Sequence, residues 1–330
     1  MATEPILLIS TPPAVALDHQ ELRAVSRHAA VAEYWALTKP EVNFLIAIAT
    51  LTGFYLGCPS QFDHFPWLPL VPTLVGTLLV ASGTGALNQY IERRFDAQMR
   101  RTARRPLAAG RLSPSAVRWF GITLSSAGSV YLAITVNLLA SLLAIVTLLS
   151  YLFLYTPLKR KTPLCTLVGA FPGAMPPLIG WAAASGRLSS HAWILYAVLF
   201  LWQFPHFMAI AWMYRDDYDR AGYSVLPHGT ARARFVILQT MLPLMALLLI
   251  ILLPAAIGRQ SVLYSIGALL LSLGFIYYGA QFVRRRSKRG CASAPLGIHR
   301  VSSAAIDVDD VCGRLAGGIL DGQNNLRHFR

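Results

Sequence analysis

The chain has 330 residues, of which 55% are hydrophobic and only 13% charged, and its mean hydropathy is +0.50. A soluble domain carries about 25% charged residues, so this composition excludes an ordinary soluble protein and fits one polytopic helical bundle in a membrane. The formal net charge of +14 does not indicate nucleic acid, because the basic residues sit in short stretches between apolar runs, where membrane-orientation signals lie.

Residues 1–40 mix charges with short apolar runs and show no signal-peptide pattern, so they read as a cytosolic N-terminal segment. A bilayer-spanning helix needs about 20 apolar residues. Runs that meet this requirement lie near 42–59, 68–90, 115–136, 138–157, 164–184, 192–214, 233–257 and 261–283. The expected fold is therefore an all-α membrane bundle of about eight transmembrane helices, with the membrane domain over 41–285. Little more than Asn137 separates the third and fourth runs, which predicts a tight hairpin. Pro172, Pro176 and Pro177 predict a bent or broken fifth helix, as found in helices that line a cavity. The segment 286–330 has no spanning run and is expected to be a polar tail, either disordered or the product of an altered reading frame. Cys58, Cys165, Cys291 and Cys312 form no CxxC or Cys/His spacing and read as incidental.

Charge sorts the connections into two sides. Arg93, Arg94, Arg100, Arg101, Arg104, Arg105 and Arg111 follow the second run, and Lys159, Arg160 and Lys161 follow the fourth. Arg215, Arg220, Arg232 and Arg234 follow the sixth, and a basic cluster from Arg284 to Arg289 follows the eighth. The alternate connections are nearly bare of Lys and Arg. The positive-inside rule then places the N-terminus and every basic loop in the cytoplasm, with the chain in the cell's inner membrane.

Against this background "NQYIERRFDAQMRRTARRPL" at 88–107 stands out. Asn88, Glu92 and Asp96 recur every fourth residue, which drifts only about 40° per step on a helix and keeps them on one face. A solvated helix end, with the acids paired to nearby arginines, explains the spacing as well as a binding site does. A second acidic cluster, "YRDDYDRAGYSVLP" at 214–227, brings Asp216, Asp217 and Asp219 to the same side. Oxygen ligands flanked by Arg and Lys suit Mg²⁺ shared with phosphate oxygens, since Mg²⁺ is rarely held by protein alone. Arginine forks and lysines bind the remaining phosphate charge. The ligand implied is a diphosphate on a lipid chain. No Ser/His/Asp or Cys/His set for nucleophilic catalysis is apparent.

These residues also carry a family likeness. From about Tyr34 to Arg286 the chain resembles the intramembrane prenyltransferase superfamily and, within it, the protohaem IX farnesyltransferase (haem o synthase) branch. The superfamily likeness lies in "YWALTKPEV" at 34–42, "NQYIERRFDAQMRRTARRPLAAGRL" at 88–112 and "YTPLKRKTP" at 155–163. The haem branch is singled out by "GAMPPLIGWAAASG" at 173–186 and "LWQFPHF" at 201–207. The resemblance implies transfer of a farnesyl group from farnesyl diphosphate to a vinyl group of haem b, with Mg²⁺ assisting departure of the diphosphate. It implies that Asn88, Glu92, Asp96 and Asp217, with Asp216 beside it, form the metal–diphosphate motifs. Lys39, Arg105, Arg111, Lys159 and Arg160 match basic positions facing the diphosphate. Arg94 departs from the family pattern, and Asp219 falls where the family varies.

His206 reads as a hydrogen-bonded core histidine or, from its place in "QFPHF", as a haem contact. The family pattern has nine membrane helices, and no ninth apolar run follows the eighth here. Two other functions remain at this stage: prenyl transfer to a quinone precursor, and a membrane haem carrier or transporter without catalysis. Expected partners are farnesyl diphosphate, haem b, the lipid bilayer and a downstream haem-modifying enzyme or terminal oxidase assembly, with no nucleic acid.

Overall fold

A computed structural model describes residues 30–58, 67–256 and 262–290, and among them every regular element is a helix. A short helix α1 (30–37) leads into α2 (Pro40–Gly57), then α3 (Trp67–Asp96), α4 (Pro114–Thr135) and α5 (Leu138–Leu149). A π-helical turn (Ser150–Tyr155) joins α5 to the short α6 (Thr156–Leu158). The chain continues through α7 (Cys165–Gly173), α8 (Pro176–Ser185), α9 (Ser190–Met213), α10 (Arg215–Arg220), α11 (Ala231–Ala256) and α12 (Val262–Gly290). Each expected apolar run has its helix. Six spans among the described residues are long and apolar enough to cross a bilayer: α2, α3, α5–α6, α7–α8, α9 and α11. Helices α4 and α12 stand outside that set; in α4, Arg118 and the serines and glycines dilute the hydropathy. The basic stretch after the eighth run is helical as far as Gly290, so helix overlaps the first residues assigned to the polar tail. The remainder of that tail, and most of residues 1–40, lie outside the described residues.

The fifth run is broken as its prolines predict. Pro172 lies inside α7, Pro176 and Pro177 open α8, and Ala174 and Met175 carry the break. In the most apolar 18-residue stretch of the α7–α8 span 67% of residues are buried, against 22% in the corresponding stretches of α2 and α9, so the broken helix is interior and these neighbours face outward. Irregular backbone at membrane depth is tolerated only where protein or a cavity surrounds it. The outward faces carry Leu68, Ile134 and Leu249, all strongly exposed, as a lipid-facing surface requires.

Small residues let the helices meet backbone to backbone. A Cβ at Gly53 of α2 would strike the Pro177 carbonyl of α8, and one at Gly180 of α8 would strike the Thr50 carbonyl of α2. The α3–α4 pair repeats the device: a Cβ at Gly83 would meet Ser125 and the Gly121 carbonyl. In lipid, where apolar surface is not driven together by water, such close packing is a main source of helix association. The α4–α5 hairpin turns on Val136 and Asn137. Asn137 Oδ1 accepts from Ala140 N at 2.8 Å as an N-cap, and its Nδ2 donates to Ala182 O at 2.8 Å, pinning the hairpin to α8.

Helix α3 extends to Asp96, six residues past the apolar run, so Asn88, Glu92 and Asp96 share one continuous helix. Arg93 and Arg94 in its last turn complement the helix dipole.

Candidate metal–diphosphate site

At the C-terminal end of α3 the three expected residues are buried: Asn88 is 1% exposed, Glu92 5% and Asp96 1%. A solvated helix end would leave them in water, so burial decides against that reading of the spacing. Charges buried to this degree need partners, and the loops after α3 and α6 supply them. Lys159 Nζ donates to Glu92 Oε1 at 2.8 Å and lies over the Tyr155 ring at 4.5 Å. Burial disfavours the Lys159 ammonium, but Glu92, Tyr155 and Tyr151 together outweigh burial and hold the amine well above the ordinary lysine range. Arg105 Nη1 donates to Asp96 Oδ2 at 2.8 Å. The Thr102 hydroxyl donates to the Asp96 carbonyl at 2.9 Å, folding the loop back on the helix end.

Lys39 enters from the opposite side, as the residue preceding α2. It is the one non-glycine residue with positive φ (53°) among the described residues, and Pro40 follows it. A left-handed conformation on a lysine costs on the order of 1–3 kcal/mol and persists only where the surroundings enforce it. Its Nζ donates to Asn88 Oδ1 at 3.4 Å. Burial, then the charges of Arg105 and Lys159, pull its ammonium down to about 7.

The second cluster is held by the first loop. Arg101 N donates to Asp217 Oδ2 at 3.3 Å, and Arg220 Nη1 to Asp217 Oδ1 at 3.0 Å. Burial opposes the Asp217 charge, but the backbone N–H groups of Arg101 and Arg100, together with Arg220, outweigh it and hold the carboxyl below the usual range. Ser224 N donates to Lys159 O at 2.8 Å and its hydroxyl to Arg160 O at 3.2 Å, tying the segment after α10 to the loop after α6. The Arg160 guanidinium lies 4.3 Å from the centre of the Phe95 ring. Phe95 and Tyr218 in turn meet Tyr223 edge-on at 5.8 and 5.9 Å.

Among the described residues no three His, Cys, Asp or Glu side chains converge closely enough to hold a metal unaided. Glu92 and Asp217 each accept hydrogen bonds at both oxygens, whereas Asp96 accepts at Oδ2 alone among the described residues. Asp96 Oδ1 is buried without a hydrogen-bond partner. A buried carboxylate oxygen left unpaired is costly and suits a divalent cation that takes its other oxygens from phosphate. The residues present therefore fit Mg²⁺ shared with a diphosphate.

Three expected residues lie apart from this cluster. Arg111 Nε donates to Glu33 at 2.6 Å and Nη2 to Arg104 O at 2.9 Å, so its guanidinium latches α1 to the loop. Asp216 is largely exposed and, among the described residues, pairs with Arg215 alone, at 3.5 Å. His206, on α9, stacks on Trp202 with ring centres 5.5 Å apart and planes at 14°, and hydrogen-bonds to none of the described residues. The hydrogen-bonded core histidine is not what the structure contains.

Three residues were not expected. Gln203 Nε2 donates to Ala170 O at 3.2 Å and Leu199 O at 3.0 Å, bracing the broken helix, and a Cβ on Gly173 would occupy its amide. The signal was available: an amide between aromatic residues in an apolar run needs a buried partner. Thr156 accepts from Asn88 Nδ2 at 3.2 Å across 68 residues of chain. The Tyr223 hydroxyl is buried without a partner, and burial, with Glu92 nearby, pushes its proton loss far upward. Nothing local in the sequence marks the Thr156 contact or the burial of the Tyr223 hydroxyl beside Glu92.

A buried acid–base cluster beside a set of membrane-length helices defines a multi-span membrane protein with a charged site suited to an anionic ligand. The match to known proteins is narrower. Residues 46–301 match the family model described as the UbiA prenyltransferase family, and the chain belongs to that family. It is 48% identical over 261 residues, 77% of this chain and 89% of the relative, to a protein of Solibacter usitatus (strain Ellin6076) named protoheme IX farnesyltransferase. Two solved structures share the fold. A digeranylgeranylglyceryl phosphate synthase matches with TM-score 0.62 at 18% identity, covering 78% of this chain and 89% of that one. A UbiA homolog from Archaeoglobus fulgidus, bound to DMAPP and Mg²⁺, matches with TM-score 0.56 at 13% identity, covering 78% and 88%. The chain is thus a multi-pass membrane prenyltransferase.

Proposed function

We propose that this protein transfers a farnesyl group from farnesyl diphosphate to a vinyl group of haem b, giving the hydroxyethylfarnesyl group of haem o. The observation that carries the choice of acceptor is the 48% identity, over 89% of its length, to the Solibacter protoheme IX farnesyltransferase. Asn88, Glu92, Asp96 and Asp217 would hold Mg²⁺, with Asp216 at the rim of the second cluster. The cation, when bound, neutralises the diphosphate and makes it a better leaving group.

The remaining roles follow from the chain's own groups. Lys39, Arg105, Lys159 and Arg160 supply positive charge toward the diphosphate; Lys159 and Arg160 lie against the Tyr155 and Phe95 rings, and the partial burial of Lys39, Arg105 and Lys159 makes their charges count for more than in water. The faces of Phe95, Tyr155 and Tyr223 favour the positive charge that develops on the allylic carbon. The electron-rich vinyl group attacks that carbon, and water captures the cation formed beside the porphyrin. No protein nucleophile takes part, so catalysis is positioning and electrostatics. His206, with no hydrogen-bond partner among the described residues and lying within "LWQFPHF", is the protein group proposed to contact haem.

The basic loops favour an orientation in the inner membrane with this site facing the cytoplasm. The product then passes to a haem-modifying enzyme or a terminal oxidase assembly. The direct test is purified protein with haem b, farnesyl diphosphate and Mg²⁺, followed by chromatography and mass spectrometry. Mg²⁺-dependent farnesylated haem is the expected result. Product only with a phenolic acid acceptor would make it a quinone-precursor enzyme, and tight haem binding without turnover would make it a carrier.

A further inference from the structure

Thr156 is the first residue after the π-helical turn Ser150–Tyr155, it is buried, and it meets one carbonyl twice. Its backbone N–H donates to Tyr151 O, and its hydroxyl donates to the same oxygen at 2.8 Å. In an ordinary α-helix a threonine hydroxyl reaches the carbonyl three or four residues back; here the widened turn brings the fifth. π turns of this kind recur at functional sites. A hydroxyl has one proton, and with that proton on Tyr151 O the oxygen can only accept elsewhere. What it accepts is Asn88 Nδ2, at 3.2 Å.

An asparagine amide can present either its oxygen or its NH₂ in a given direction, and the side chain itself does not choose. Here both NH₂ protons have acceptors: Glu92 Oε2 at 3.0 Å and Thr156 Oγ1. Oδ1 is thereby turned toward Lys39, whose Nζ lies at 3.4 Å. The two acceptors are not equivalent. Glu92 is itself a cation ligand in the proposed function, so a bound cation competes with the amide for its oxygens. Thr156 has no such competing role, because its proton is held by a backbone carbonyl.

We propose that Thr156 is a positioning residue that orients Asn88, so that the amide oxygen and not the nitrogen faces the cation and diphosphate. This role rests on the reading of Asn88 as a cation ligand, and the experiment separates the two. Mn²⁺ affinity is measured by electron paramagnetic resonance on the purified full chain with farnesyl diphosphate and no haem, so that turnover is not the readout. If the wild type binds no Mn²⁺, or Asn88→Ala binds it equally well, the ligand reading itself fails. With Asn88-dependent binding established, Thr156→Val weakens Mn²⁺ affinity about 5- to 10-fold, the scale of one lost hydrogen bond. Thr156→Ser, which keeps the hydroxyl, restores affinity to near wild type. In an Asn88→Asp background the two carboxylate oxygens are equivalent, orientation no longer matters, and Thr156→Val adds no further loss. Wild-type affinity in Thr156→Val, or an equal loss in both backgrounds, overturns the role. Should Thr156→Val fail to fold by thermal unfolding, Thr156→Ala removes the same acceptor without adding an apolar atom and is judged by the same outcomes.

Discussion

Asp96 divides its carboxylate between two environments. Oδ2 receives Arg105 at 2.8 Å, whereas Oδ1 is buried with no hydrogen-bond partner. Arg111, which the family resemblance sets beside the diphosphate, is half-exposed and paired with Glu33 instead. The two residues therefore separate under mutation. Asp96→Ala lowers turnover by about 100-fold or more, the scale seen when a group aimed at developing charge is lost, while haem binding followed by absorption stays near wild type. Arg111→Gln leaves turnover within a few-fold, because an exposed ion pair contributes about 0–1 kcal/mol. Loss of haem binding in the first, or loss of turnover in the second, would contradict these assignments. Spacing every fourth residue was enough to pick out Asn88, Glu92 and Asp96. It could not tell a solvated helix end from a buried site, because both place the same residues on one face; burial distinguishes them.

At several crossings the helices meet backbone to backbone at glycines. Gly53 and Gly180 face each other's neighbours across α2 and α8, where an added Cβ would collide with the Pro177 and Thr50 carbonyls. Gly180→Leu must separate these helices or displace the broken α7–α8 segment, at a cost of about 1–3 kcal/mol or more from overpacking. Its thermal unfolding midpoint in detergent falls, and an unchanged midpoint would show that the crossing can open freely. The prolines in "GAFPGAMPP" announced a break in the fifth helix, and α7 does end at Gly173. That Gln203, a helix away, braces the break through Ala170 O was not legible, because it depends on which helix packs beside it.

For the whole molecule, the alternation of basic and bare loops predicts topology directly. In a background without the native cysteines, a cysteine at Arg187 is labelled by an impermeant maleimide in intact spheroplasts, and one at Lys161 only after lysis. The reverse pattern would overturn the orientation. The helices and their order were determined by the sequence alone, because apolar runs of bilayer length leave the backbone no option but to bond to itself. So were the two acidic clusters, their basic surroundings and the family likeness, since each is carried by residues close together in the chain. Tertiary structure alone decided which cation serves which carboxylate. Lys159 reaches Glu92 across 67 residues, Arg101 N reaches Asp217 across 116, and Lys39 reaches Asn88 across 49. It also sent Arg111 to α1 and brought Thr156 to Asn88. Such pairings depend on helix rotation and loop path in three dimensions, and local patterning is silent on both.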